Sequence, residues 1–214
     1  MCESRQFFIH GLLVVGAGEK EHYEILLQTH LSLHQKELSY PLVFSHDERG
    51  RPICPSSPDV KMSRSHKTDC VLNAFTRCGD LGIDLENVKA PVEHVAIART
   101  FFSPEEASLF SQPLGPSLRN HFFLLWTGKE AIAKAHQLPL LEALKVPLPM
   151  PLMQNTLHSY EYQELSGALF FTYTDPYQIA VACPSPGWNP SKQFSFILET
   201  SYTQALTKTV FASN

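Results

Sequence analysis

Positive charge is what this chain has little of. Its 17 Lys and Arg fall short of its 21 Asp and Glu, a formal net charge of −4 with a pI near 6.2. Partners bound through counterion release demand the opposite balance, which excludes a general nucleic-acid binder. Long apolar runs are missing too: no stretch reaches the roughly 18 residues of a membrane span. The nearest approach, FFIHGLLVV (Phe7 to Val15), mimics a signal-peptide core. It contains His10, follows Glu3 and lacks a small-residue cleavage site, so it reads as a first buried strand. Cys2, Cys54, Cys70, Cys78 and Cys183 are odd in number and form no Cys-x-x-Cys pair. That pattern argues against a disulfide framework and for reduced thiols in a cytoplasmic protein. His30 and His34 share a helical i,i+4 spacing that could hold zinc, but no third ligand accompanies them, and a plain helix face is the reading.

The remaining composition is ordinary for a soluble globular protein, with 43% hydrophobic and 18% charged residues. A chain of 214 residues can bury a sizeable core.

Chemistry concentrates in two segments. In LGIDLE (Leu81 to Glu86), Leu81, Ile83 and Leu85 alternate with Gly82, Asp84 and Glu86. A strand there points the apolar side chains to one face and both carboxylates to the other. Neighbouring carboxylates repel unless a cation compensates them. Mg2+ is suited to that task, since it takes a few carboxylate oxygens and usually shares a substrate phosphate. WTGKEAIAK (Trp126 to Lys134) offers the missing acid: Glu130 precedes Lys134 by one helical turn, so a third carboxylate lies beside an ammonium that could hold a phosphate. Taken singly, the first segment is more often a solvated strand end, and the second more often still an exposed i,i+4 pair. Taken together they imply metal, phosphate ligand and helix at once. Between them Ser103 and Glu106 have the spacing of a capping box.

Charge is also distributed locally. Arg49, Arg51, Lys61, Arg64, Lys67 and Arg77 face only Asp59 and Asp69 in the same stretch, and Asp80, Asp84 and Glu86 follow. A basic rim beside an acidic corner suits an anionic cofactor and an acidic partner. A solvated loop charged for solubility is the other reading of that rim.

These motifs resemble the 4'-phosphopantetheinyl transferases, in particular the Sfp type and the holo-acyl-carrier-protein synthases. Gly-x-Asp-x-Glu followed by Trp-(Ser/Thr)-x-Lys-Glu-(Ala/Ser)-x-x-Lys is matched without a gap, and FFSPEEASLF (Phe101 to Phe110) is similar to the family's Phe-Phe-Ser/Thr-x-x-Glu stretch. Upstream, RGRPIC (Arg49 to Cys54) resembles a Gly-(Lys/Arg)-Pro turn, and SRSHKTDCVLNAF (Ser63 to Phe75) an Asn-(Ile/Leu)-Ser-His-Ser segment. The chain departs from that last pattern at Ser63 and Lys67. The helix before Gly50 that commonly carries Arg in the family reads YEILLQTHLSLHQKEL (Tyr23 to Leu38) here.

The resemblance implies an α+β fold: two similar α/β halves, residues 1–79 and 80–214, in one pseudo-symmetric monomer with the active site between them. It implies Mg2+-dependent transfer of 4'-phosphopantetheine from coenzyme A to a serine of an apo acyl- or peptidyl-carrier protein, releasing adenosine 3',5'-bisphosphate. Asp84, Glu86 and Glu130 would hold Mg2+, or Mn2+ in its place. Lys129 and Lys134 would contact phosphates, and Arg51, Pro52, Ser65 and His66 would bind coenzyme A. Catalysis would fall to Asp84, Glu130 and Lys134, with the serine proton going to Glu130 or to a metal-held water. Two other readings stay open: a non-catalytic carrier-binding module, and a metal-dependent phosphoester hydrolase.

Periodicity adds expected helices near Lys20 to Leu33, Val92 to Thr100, Pro104 to Phe110 and Ser117 to Ala135, with Thr127 as a start signal. Expected strands lie near Cys70 to Phe75 and Leu81 to Glu86. ALFFTYT (Ala168 to Thr174) and YQIAVAC (Tyr177 to Cys183) form a hairpin across Asp175 and Pro176, and SKQFSFILET (Ser191 to Thr200) a final strand.

Overall fold

A computed structural model describes residues 7–15, 43–68, 70–77, 79–111, 116–184 and 194–202, with the backbone alone at 7–15, 116–117 and 194–202. The helix expected near Lys20 to Leu33, with Gln28, His30 and His34, lies outside the described residues, as do Cys2, Asp69 and Cys78.

Among the described residues, ten strands form two four-stranded sheets and a two-stranded ribbon. The first sheet has the order β10 (Phe194–Tyr202), β1 (Phe7–Val15), β5 (Cys70–Thr76), β4 (Lys61–Lys67). The second runs β6 (Gly82–Asn87), β9 (Tyr177–Pro184), β8 (Leu165–Thr174), β7 (Leu157–Tyr162). Short strands β2 (Ser45–His46) and β3 (Pro52–Ile53) pair around Gly50, whose φ of 78° suits the turn. The expected hairpin forms, Asp175 and Pro176 joining β8 to β9. β10 returns to pair in parallel with β1, so the last described strand belongs to the first sheet.

Among the described residues four helices occupy the middle of the chain: α1 (His94–Phe101), α2 (Pro104–Leu109), α3 (Pro116–His136) and α4 (Leu140–Ala143). The capping box at α2 is present, Ser103 Oγ accepting the Glu106 N–H while Glu106 accepts the Ser103 N–H. Thr127 is not a helix start. It lies inside α3, where its hydroxyl donates to the Phe123 carbonyl at 2.6 Å, because the apolar stripe begun at Phe122 and Phe123 carries the helix through it. At the C-terminus of α3 the Leu138 N–H reaches the Ala133 carbonyl at 2.9 Å, with Gln137 at φ 57° where glycine is usual. No helix among the described residues is long and apolar enough to cross a membrane.

The second sheet is covered on both faces. Leu81, Ile83, Leu85, Ile179 and Val181 pack against Leu72 and Ala74 of β5. On the other face Phe171, Ala180 and Ala182 meet Leu125, Ala131, Ile132 and Ala135 of α3. Asp84 is therefore not solvated as a free strand end would be: it is buried, at 1% exposure.

Where β4 and β6 run side by side, serine hydroxyls replace a backbone ladder. The Ile83 N–H donates to Ser63 Oγ at 3.0 Å, and the Leu85 N–H to Ser65 Oγ at 3.2 Å. An edge strand's unpaired N–H groups are thus satisfied by side chains of the neighbouring sheet.

Candidate active site and metal centre

Gly82, Asp84 and Glu86 share the face of β6 that meets α3, as the two-residue strand period requires. Glu130 and Lys134, one turn apart, look back from the helix. One carboxylate oxygen from each of Asp84, Glu86 and Glu130 lies within 4.8 Å of the others. Four hydrogen bonds hold this corner. Asp84 Oδ1 accepts from Ser65 Oγ at 2.8 Å and from Lys134 Nζ at 2.7 Å. Glu86 Oε1 accepts from Lys67 Nζ at 2.7 Å and from the Trp126 indole N–H at 3.1 Å. Lys134 Nζ stands 4.0 Å from Glu130 Oε2.

The crowding is visible in the acids' proton affinity. Burial, then the charges of Asp84 and Glu86, push Glu130 up to about 8 against the opposing pull of Lys134 and Lys67. Burial likewise raises Glu86, countered by its hydrogen bond to Lys67. Lys67 is held above its ordinary value; burial lowers it, but the hydrogen bond and charge of Glu86 outweigh that. Asp84 Oδ2 is buried and finds no hydrogen-bond partner among the described residues. A buried carboxylate oxygen without a partner is costly. Three convergent acids with one orphaned oxygen fit a hard divalent cation, which accepts oxygen ligands and relieves their mutual repulsion.

Beside the acids opens a cavity of about 890 Å³. Its wall includes Arg51, Pro52, His66, Lys67, Glu130 and Lys134, together with Arg49 and Arg64. Glu130 is the acid of the three that lines it. Arg51 is partly engaged, its Nε donating to the Met62 carbonyl at 3.1 Å and its Nη2 lying 3.3 Å from Asp80 Oδ1.

Two of the residues expected to meet the cofactor, Lys129 and Ser65, do not line this cavity. Lys129 is fully buried on the far side of α3, 2.8 Å from Glu106 Oε2, donating to the Val146 carbonyl and lying over the Phe102 ring. Adjacent residues on a helix point about 100° apart, so Lys129 cannot share the face of Glu130. Ser65 does not line the cavity; at 5% exposure it is spent on Asp84 and the Leu85 N–H.

Four contributors escaped the sequence reading: Ser63 as a backbone partner, Trp126 as a donor to Glu86, Lys67 as that acid's counter-ion, and Gly82 as the point of closest helix approach. Only Trp126 and Gly82 carried a signal, each standing inside a matched motif.

The 4'-phosphopantetheinyl transferase superfamily model matches residues 80–182. Over 151 residues the chain is 31% identical to the 4'-phosphopantetheinyl transferase ffp of Bacillus subtilis, covering 67% of this chain and 63% of that protein. It is 36% identical over 94 residues to 4'-phosphopantetheinyl transferase psf-1 of Bacillus pumilus, covering 44% and 39%. With 4'-phosphopantetheinyl transferase HetI of a Nostoc species, identity is 28% over 154 residues, covering 69% and 62%. The matches thus span less than two thirds of each relative's length.

Proposed function

We propose that this chain, which belongs to the 4'-phosphopantetheinyl transferase superfamily, transfers 4'-phosphopantetheine from coenzyme A to a serine hydroxyl of an apo carrier protein. The observation that carries the reading is the convergence of Asp84, Glu86 and Glu130 at the wall of a cavity rich in cationic side chains. Relatives bearing the transferase name support it, as does the fit of the acids to Mg2+ or Mn2+. The pseudo-symmetry of two halves, monomeric state and cytoplasmic location belong to the same proposal.

In the reaction the serine Oγ forms a new P–O bond to the pantetheine-bearing phosphorus of coenzyme A. The P–O bond to the other phosphate breaks, and adenosine 3',5'-bisphosphate leaves with the electron pair. When bound, a divalent cation supplies charge neutralisation at the diphosphate. Asp84 and Glu86 hold fixed positions because Ser65 and Lys134 donate to Asp84 Oδ1 and Lys67 and Trp126 donate to Glu86 Oε1. Lys134 presents an ammonium to the cavity and balances charge on the departing phosphate. Glu130 lines the cavity and is the acid placed to take the serine proton. His66 and Arg51 line the same cavity, where a nucleotide phosphate would find the Arg51 guanidinium and a ring nitrogen of His66 as partners.

The test is holo-carrier formation followed by intact mass, with purified chain, coenzyme A and Mg2+. Asp84→Ala and Glu130→Ala should each abolish the mass increase while keeping the wild-type circular dichroism spectrum. Near-normal rates in both variants would defeat the assignment. Phosphate release without any carrier would favour a hydrolase, and binding without transfer a carrier-binding module.

A further inference from the structure

Two ammoniums, of Lys67 and Lys134, stand in the acidic corner. Lys67 ends β4 with its Nζ 2.7 Å from Glu86 Oε1, its side chain 33% exposed where it lines the cavity. Lys134 already stands 2.7 Å from Asp84 Oδ1. Three carboxylates therefore meet two ammoniums, and one formal negative charge is left for any incoming cation. Affinity of an oxygen-ligand site for a divalent ion follows the number of uncompensated carboxylates, and an ammonium a few ångströms away repels the ion.

We propose that Lys67 is a built-in counter-cation of the metal corner, occupying Glu86 in competition with the divalent ion and so setting a weak metal affinity. The proposal rests on the reading that Asp84, Glu86 and Glu130 hold that ion. Its geometry is specific. Glu86 Oε1 carries both Lys67 and the Trp126 N–H, whereas the orphaned oxygen lies on Asp84. The ion therefore finds an unengaged oxygen at Asp84, while the Glu86 carboxylate already carries two donors. Lys67 has somewhere to go when displaced, because its ammonium already borders the cavity that would hold anionic phosphates.

Mn2+ binding to the full chain, followed by loss of the free-ion electron paramagnetic resonance signal, tests this without reference to turnover. Lys67→Met removes the charge and keeps the side-chain length, Lys67→Arg keeps the charge, and Asp84→Ala reports on the metal site itself. Lys67→Met should bind Mn2+ about tenfold more tightly than wild type, while Lys67→Arg stays near wild type and Asp84→Ala binds far more weakly. Unchanged affinity in Lys67→Met with loss in Asp84→Ala overturns the competition and spares the metal site. Weaker binding in Lys67→Met also overturns it, making Lys67 a clamp that orients Glu86. Equal Mn2+ binding by Asp84→Ala and wild type brings down the metal reading and this proposal together. Lys67→Ser serves as a second charge-removing variant, with thermal midpoints confirming that each protein is folded.

Discussion

Gly82 and the Ala131 carbonyl face each other across the contact of β6 with α3 with no room for a methyl group between them. A Cβ at Gly82 would lie 2.0 Å from that oxygen and 2.4 Å from the Ala135 nitrogen. Both obstacles are backbone, so relief requires moving the helix that carries Glu130 and Lys134. Gly82→Ala should cost on the order of 3 kcal/mol by urea denaturation and weaken Mn2+ binding along with it. A stable variant with unchanged metal affinity would show that this close approach does not position the acids.

Ser65 joins the two sheets and orients Asp84 with the same hydroxyl. Ser65→Ala leaves the buried Leu85 N–H without its partner and takes one donor from Asp84. A loss of about 1–3 kcal/mol is expected, and Ser65→Thr should recover part of it by retaining the hydroxyl. Equal unfolding midpoints for wild type and Ser65→Ala would contradict this role.

Lys129 and Glu106 form a buried pair, and Glu106 also accepts the Ser103 and Leu148 N–H groups. Removing one partner of such a pair costs about 3–5 kcal/mol because the other charge stays buried. Lys129→Met should therefore be strongly destabilised, with part of the loss regained in Lys129→Met/Glu106→Gln. The KM for coenzyme A should not change. A raised KM at unaltered stability would return Lys129 to the phosphates.

Glu130 predicts a pH effect in metal-free protein. Its carboxyl sits at about 8 in the fold against an ordinary 4.5, so between those values the folded state binds more protons than the unfolded chain. Stability from this group is then lost as pH rises through that window. Glu130→Gln removes the penalty. In EDTA, its unfolding free energy relative to wild type should grow from pH 5 to pH 8, by on the order of 1–3 kcal/mol. A difference that stays constant with pH would refute the crowding of the three acids.

The local layers of this protein are legible in its residues. The Phe7–Val15 strand, the hairpin of β8 and β9, the capping box at Ser103 and the alternation that sets Asp84 and Glu86 on one face all follow from short-range patterns. Strands β4 and β7 were not anticipated. KMSRSHK alternates polar and apolar weakly, and LHSYEY has one fully buried position, so neither signals a strand strongly. Thr127 misled as a helix start because a Ser/Thr hydroxyl can cap a helix or bond back within one, and packing at Phe122 and Phe123 chose the second.

Residue order alone determined which acids could share a strand face and which Glu and Lys could share a helix turn, since strand and helix periods are properties of the backbone. Only the tertiary structure decided that Lys129 turns into the core, that Ser65 serves Asp84, and that Lys67 meets Glu86. Those outcomes depend on which faces of separate elements are pressed together. That choice is made by apolar burial on both sides of β6, and no spacing along the chain encodes it.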